Sequence, residues 1–516
     1  MGSTDRFAWA ETRPGRWERD IDEIENFYLA LDQQSVATGR HFFAIMGHVS
    51  VTTEVPAGQR FDECEHNFEK ALRGAWARLR FDHPTLASWV EYDGKQPRKI
   101  YESIDTQRDE NKALERWLDE TFCPINTHQT GLDWCNSDPP VPKLPTMFVL
   151  KTSESTKDGD KNKMIRRTLV LRAPHNIIDG IGTLLLFNNF LKHASDAYSS
   201  NEPHALTWGE EHKNLSPSFR IAAALPDAIV PQQLEHIENV VLANADLRRG
   251  IPIMALPFKN VNEMPGKHQR LSVTISARET AAILAACRTR ALSVTHTYHT
   301  AIAMAVRDAQ PAQPTPSLKR YINYCLINER SHCQPPYSTA THAAAVYHSV
   351  SGAHLALDLA VPGDVSRTPV DDKADFERLA PIVKEYYMSI RNDTSHPPLV
   401  PHYFTLATPQ DPRIRDSTAE NPAPLPPNNE SPSVSLSSMG RIDDLIAAQH
   451  GALHVHDPWV TGEELGTGIG AFLGTFKGDL HLSAAYNESF HEKAAIEAFL
   501  ARVQEIVVCA LEVSHA

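Results

Sequence analysis

The chain has 516 residues, of which 41% are hydrophobic and 22% charged, and a formal net charge of −14. That length allows two to four domains, each able to bury a sizeable core, and the acidic balance excludes non-specific nucleic-acid binding. Seven cysteines with no CxxC pair argue against zinc sites and a disulfide framework and for a reducing compartment.

In chain order, residues 40–53 are apolar and β-branched and read as a strand. Residues 61–80 read as a helix, because Phe61, Cys64, Phe68, Leu72, Ala75, Trp76 and Leu79 recur at helical spacing. Short strands are expected at 86–92 and 98–104, a helix at 111–121, and strands at 145–152 and 167–173, with a polar turn over 153–164. A loop, Pro174–Gly180, leads into an apolar helix over 181–199. Residues 200–262 carry scattered prolines and no strong period, and read as a connector with some helix.

The second half repeats these kinds of element. A strand at 270–276 precedes helices at 277–289 and 293–308, strands at 321–328 and 343–350, and a long helix at 371–392. Residues 408–432 contain seven prolines and few apolar side chains, which predicts a long surface loop. Strands follow at 433–438, 469–476 and 479–486, then a helix from 490 to 512. No apolar stretch opens the chain and no run of 18 apolar residues occurs, so a cytoplasmic protein with no membrane segment is expected.

The chemistry concentrates in HNIIDG, residues 175–180. Histidine is the side chain best suited to accept a proton near neutral pH, and an alcohol attacking a thioester must lose one. A loop histidine at the end of a strand can project into a cleft. Asp179 can brace the loop, and Gly180 permits a backbone conformation or a close approach that a Cβ would block.

HNIIDG resembles the His-x-x-x-Asp-Gly motif of the coenzyme A-dependent acyltransferase superfamily. That group includes plant-type BAHD acyltransferases, chloramphenicol acetyltransferase, carnitine acyltransferases and the condensation domains of non-ribosomal peptide synthetases. The nearest likeness is to fungal secondary-metabolite acetyltransferases of the trichothecene 15-O-acetyltransferase kind. It extends over most of the chain. YINYCLINERSHC (321–333) is similar to the condensation-domain strand that ends in an arginine, here Arg330. SVSLSSMG (433–440) resembles the Ser-rich strand that borders the family's cleft, and residues 470–490 resemble its last hairpin.

The resemblance implies an α/β, two-lobed, chloramphenicol-acetyltransferase-like fold, each lobe a mixed sheet covered by helices, with an active-site tunnel between the lobes. The lobes map onto residues 1–205 and 266–516, joined by a connector at 206–265. His175 takes the role of general base, and Asp179 a structural role paired with Arg330. Ser437 or Ser438 is expected at the cleft, helping to stabilise the oxyanion. The implied co-substrate is an acyl-coenzyme A, in the first instance acetyl-coenzyme A, with a small-molecule alcohol as acceptor. No permanently bound cofactor, metal, nucleic acid or membrane is implied, and the chain is expected to be a monomer.

Two departures bear on the activity. Pro174 stands where condensation domains carry a first histidine, which argues against peptide-bond formation, and the BAHD string DFGWG is absent. An acyl carrier protein as donor, an intramolecular cyclisation, and a non-catalytic binding protein of the same fold therefore stay open. Elsewhere, His454 and His456 lack a third metal ligand at a telling spacing. Gly466, Gly468 and Gly470 precede a strand and do not fit a dinucleotide fingerprint. His296, His299, Cys325 and Cys333 read as packing residues, no GxSxG occurs, and the basic run Lys161–Arg167 reads as a solvated turn.

Overall fold

Apolar residues at helical spacing and alternating β-branched runs set up a mixed α/β fold with five sheets among the described residues, two of them the large helix-packed sheets of the core, as a computed structural model shows. It describes residues 3–35, 40, 43–92, 96–104, 110–152, 164–200, 206–259, 264–311, 313–363, 369–409 and 432–513. The chain opens with β1 (Ala10–Arg13), β2 (Arg16–Asp20), α1 (Glu23–Ser35), β3 (Ile45–Glu54), α2 (Phe61–Asp82), β4 (Trp89–Tyr92) and β5 (Pro97–Glu102). Next come α3 (Glu110–Thr121), β6 (Phe122–Thr127), α4 (Gly131–Asn136), β7 (Thr146–Thr152), β8 (Met164–Ala173) and α5 (Gly180–Ser200). The connector holds α6 (Phe219–Ala222) and α7 (Pro231–Asp246).

The second half runs β9 (His268–Ile275), α8 (Ala277–Thr289), α9 (Val294–Asp308), β10 (Ser317–Asn323), β11 (Leu326–Asn328), β12 (His348–Val350) and β13 (Leu355–Val361). It ends with α10 (Pro369–Asn392), α11 (His396–Ala407), β14 (Val434–Arg441), β15 (Gln449–His450), β16 (Leu453–Gly462), β17 (Ile469–Phe476), β18 (Asp479–Asn487) and α12 (Lys493–Leu511). Most of the polar turn at 153–164 and of the proline-rich loop at 408–432 lies outside the described residues.

One sheet has the order β15-β16-β3-β8-β7-β6 and another the order β14-β17-β18-β9. Strand β8 alternates. Leu169, Leu171 and Ala173 join the core under α2 and α5, while Val170 joins a second cluster with Met46, Trp134 and Trp459 on the opposite face. In the second half, α9, α10 and α12 pack with β9, β14, β17 and β18 around residues such as Tyr298, Leu357, Val383, Leu473 and Val503. The two halves are not separate along the sequence. β16 lies in the 266–516 segment, yet it pairs antiparallel with β3 and so extends the sheet that carries the HNIIDG loop.

Two strand expectations are corrected. YINYCLIN is not one strand but β10 and β11, which pair with different partners, β13 and β12. The break follows from Asn323, whose side chain bonds the Val434 carbonyl and accepts from Tyr324 N–H. In AAAVYHSV only His348–Val350 is strand, because Ala345 and Tyr347 spend backbone groups on Asp179 instead of on a ladder. Among the described residues no helix is long and apolar enough to cross a membrane.

The α2 face predicted from spacing is buried at Cys64, Phe68, Leu72, Ala75, Trp76 and Leu79. Trp76 also stacks on Trp117 and donates Nε1–H to Thr121 Oγ1 at 3.0 Å. Trp76→Ala is expected to cost about 3–5 kcal/mol, read as a lower urea midpoint at unchanged slope.

Candidate active site

The HNIIDG loop is shaped by local chemistry. Pro174 has no N–H to continue the ladder, so the chain leaves the sheet after Ala173. Ile177 N–H then closes a turn onto the Pro174 carbonyl at 3.1 Å, and Ile177 and Ile178 are buried as anchors. Asp179 caps α5: its Oδ1 accepts from Gly182 N–H at 2.7 Å and its carbonyl from Thr183 N–H at 2.9 Å.

The other carboxylate oxygen is also committed. Asp179 Oδ2 accepts from Arg330 Nη1 at 2.8 Å and from Tyr347 N–H at 2.8 Å, with both side chains buried. Burial alone would raise the Asp179 pKa, but the Arg330 charge and hydrogen bond outweigh it and hold the carboxyl below its ordinary value. Asp179 N–H donates to the Ala345 carbonyl at 3.2 Å. The aspartate thus fastens the loop to the segment between β11 and β12 and makes no hydrogen bond to the imidazole.

Gly180 has no positive φ; a Cβ there would come within 2.9 Å of Met439 Cε, so the glycine serves close approach. The tighter position is Gly182, which sequence reasoning passed over. A Cβ on it would lie 2.3 Å from the Ala343 carbonyl and 2.8 Å from Arg330 Nη2.

His175 sits at the tip of the loop in an aromatic enclosure. Tyr28 of α1 stacks on its ring, with centroids 3.7 Å apart and planes 10° from parallel. The His348 ring lies 5.4 Å away and accepts or donates a 2.8 Å hydrogen bond with the Tyr28 hydroxyl, while Phe43 meets the imidazole edge-on at 6.5 Å. Nδ1 of His175 is buried with no hydrogen-bond partner. Burial first, and the neighbouring His348 second, push the His175 pKa down to about 3, so the ring is neutral at physiological pH.

A buried charge network supports this enclosure from behind. Lys99 on β5 donates to the Asn176 carbonyl of the loop at 2.7 Å and to Glu25 of α1 at 2.6 Å. Glu25 also takes both terminal nitrogens of Arg19 at 2.7 Å. Burial raises Glu25, but the charges of Arg19 and Lys99 outweigh it and hold the carboxyl down to about 2. Glu25 and Tyr28 lie three residues apart on α1, so this network sets the helix that covers the imidazole. A charged residue three positions before a tyrosine on a weakly periodic segment is too common a pattern to have revealed any of this.

The remaining candidates separate. Ser438 is exposed and bonded to Thr295 Oγ1 at 2.9 Å, and among the described residues neither it nor Ser437 bonds to His175. The two serines lie on β14, which reaches the loop through Met439 instead. Cys325 and Cys333 are buried thiols pushed up to about 11 and about 12, which leaves them poor nucleophiles. His299 is a core residue of α9, bonded to the Tyr387 hydroxyl at 2.9 Å. Arg167 is spent on Glu65 and Glu69 of α2, while Lys161 and Lys163 lie outside the described residues. No group of three or more potential metal ligands occurs among the described residues.

The mixed α/β fold is shared with a solved acetyltransferase and with solved condensation domains. The family model described as "15-O-acetyltransferase Tri3" matches residues 60–356, more than half of the sequence, and the chain belongs to that family. Over its whole length it is similar to the acetyltransferase pigO of Monascus ruber, at 23% identity covering 98% of both chains. The O-acetyltransferase pigM of the same organism is 24% identical over 97% of this chain and 86% of its own. The trichothecene 15-O-acetyltransferase TRI3 from Fusarium sporotrichioides shares the fold with a TM-score of 0.77 at 15% identity, covering 98% of each chain. The first condensation domain of the CDA synthetase superposes with a TM-score of 0.56 at 12% identity, over 96% of each chain. The protein is therefore an O-acyltransferase, and its reaction joins an acyl donor to a small-molecule acceptor.

Two outcomes follow from this geometry. Asp179→Ala and Arg330→Ala should each cost roughly 3–5 kcal/mol, because either leaves a buried charge unpaired; the double variant should lose less than the sum, as a double-mutant cycle by chemical denaturation would read.

The second outcome concerns acid. His175, His268 and His299 are pushed down to about 3, and His83, His342 and His354 to about 4, all chiefly by burial. Below the unfolded value of about 6.5 the unfolded chain binds protons that the native state refuses, so stability falls as pH falls. Asp22, pushed up to about 7, and Glu464, pushed up to about 8, act in the opposite sense but are outnumbered. The melting temperature should drop steadily from pH 6.5 to 4.5, before the ion-paired carboxylates begin to protonate; a flat profile would contradict this account.

Proposed function

We propose that the protein transfers an acetyl group from acetyl-coenzyme A to a hydroxyl of a small secondary metabolite, with His175 as general base. The observation that carries this reading is a neutral imidazole on a loop whose aspartate is locked to Arg330 and so cannot compete for the ring. The neutral ring has a nitrogen lone pair free to accept the proton released by the acceptor, which this reading assigns to Nε2.

The acceptor oxygen attacks the thioester carbonyl as its proton passes to Nε2. Collapse of the tetrahedral intermediate breaks the carbon–sulfur bond, and the imidazolium returns the proton to the departing thiolate. Tyr28 covers one face of the ring, so reactants meet the imidazole along its edge. His348 adds a further electrostatic penalty against a protonated resting ring. The names of the Monascus and Fusarium relatives support acetyl transfer to oxygen, and the family's reaction supports a small acceptor.

The test is thiol release from acetyl-coenzyme A in the presence of candidate alcohols, with the acetylated product identified by mass. His175→Ala should lower turnover by roughly 10²–10⁴ with the melting temperature preserved. Near-full turnover by that variant, or transfer only from a carrier-protein thioester, would refute the assignment.

A further inference from the structure

Where β8, β16 and β9 approach one another, two arginines and a histidine are buried beside the apolar cluster of Val170, Trp134 and Trp459. Arg172 on β8 and His268 and Arg270 on β9 are all buried. Arg172 Nη2 donates to Glu463 at 2.7 Å, but its Nε and Nη1 are buried without partners. His268 Nδ1 accepts from Glu464 N–H at 3.0 Å, which puts the ring proton on Nε2, and that N–H is also buried without a partner.

Arg270 is the sharpest case. Its guanidinium carbon lies 4.2 Å over the Trp459 ring, its Nε is buried and unpartnered, and it forms no ion pair with any described residue. The carboxylate that faces it, Asp457, is 56% exposed and lies 3.8 Å from His48 Nδ1 instead. The strand position is firm, since both backbone groups of Arg270 bond to the Asn136 side chain. The two guanidinium groups and the neutral imidazole share one space: Arg172 and Arg270 both act on His268 and on Cys135.

The buried groups left without a hydrogen-bond partner in this cluster, Arg172 Nε and Nη1, His268 Nε2 and Arg270 Nε, are all donors. A buried cation with no partner destabilises a fold, so its retention points to an acceptor that arrives from outside. Planar guanidinium forks match oxygen pairs on carboxylates and phosphates. We propose that Arg172, His268 and Arg270 form a binding subsite for an oxyanion carried by one of the two substrates. The subsite does not require His175 to be the base.

The full chain and its Arg270→Met variant should be melted with inorganic phosphate, pyrophosphate or succinate, each against chloride at equal ionic strength. In chloride the variant should melt at or above the parent temperature, because an unpaired buried charge has gone. At least one oxyanion should raise the parent melting temperature by several degrees and leave the variant unmoved. Equal rises in both proteins, or none beyond chloride, would overturn the subsite. If Arg270→Met does not fold, His268→Gln is read by the same criteria.

Titration with coenzyme A and with pantetheine separates the sources. Coenzyme A binding weakened tenfold or more in the variant, with pantetheine unaffected, assigns the oxyanion to the acyl donor. Unchanged coenzyme A binding alongside lost oxyanion protection assigns it to the acceptor. Neither readout uses turnover, so failure here is separable from failure of the proposed reaction.

Discussion

The buried pair of Asp179 and Arg330 is the constraint on which the site depends. A carboxylate taken from water needs its lone pairs filled, and here a guanidinium and two backbone N–H groups fill them. Those partners come from three places: the start of α5, the turn after β11, and the segment entering β12. One side chain therefore welds the HNIIDG loop to the other half of the chain. Gly182 completes the weld, because only a residue without a side chain lets the α5 backbone approach Ala343 and Arg330 this closely.

Freed from the aspartate, the imidazole takes its properties from packing. Tyr28, Phe43 and His348 surround it, and desolvation disfavours its charged form more than any neighbouring carboxylate favours it. The enclosure is itself held by charge at one remove. Arg19, Glu25 and Lys99 tie α1 to β5 and to the Asn176 carbonyl, so the helix that supplies Tyr28 and the loop that supplies His175 share one ion network. Apolar contact tunes the ring, and ion pairs fix where the contact occurs.

The same division of labour appears between the sheets. β16 crosses from the second half to lie beside β3, carrying Trp459 and leading to Glu463 and Glu464. The crossing strand leads to hydrogen-bond partners for Arg172 and His268, whereas it offers Arg270 the face of Trp459 and, among the described residues, no ion pair. A fold optimised for stability alone would not leave these donors unmatched inside, and that mismatch is what motivates the proposed oxyanion subsite.

The chain by itself determined the regular frame and the location of the HNIIDG loop between strand and helix. The α2 spacing from Phe61 to Leu79, the β-branched run into Ala173, Pro174 as a stop and the apolar α5 are local signals, and local sterics and burial decide them. The position of His175 was legible because a histidine between strand and helix is placed by those signals, and the contact of Asp179 with Arg330 was expected from the family likeness of residues 175–180 and 321–333. Tertiary structure decided what depends on residues far apart in sequence. Tyr28 and Lys99 reach the loop only because α1 and β5 pack beside it, and Ala345 and Tyr347 leave the strand pattern because Asp179 claims their backbone groups. Whether a buried cation finds a partner is settled in three dimensions as well. Glu463 meets Arg172 across 291 positions and no acid among the described residues forms an ion pair with Arg270, and periodicity carries no information about charge balance at that range.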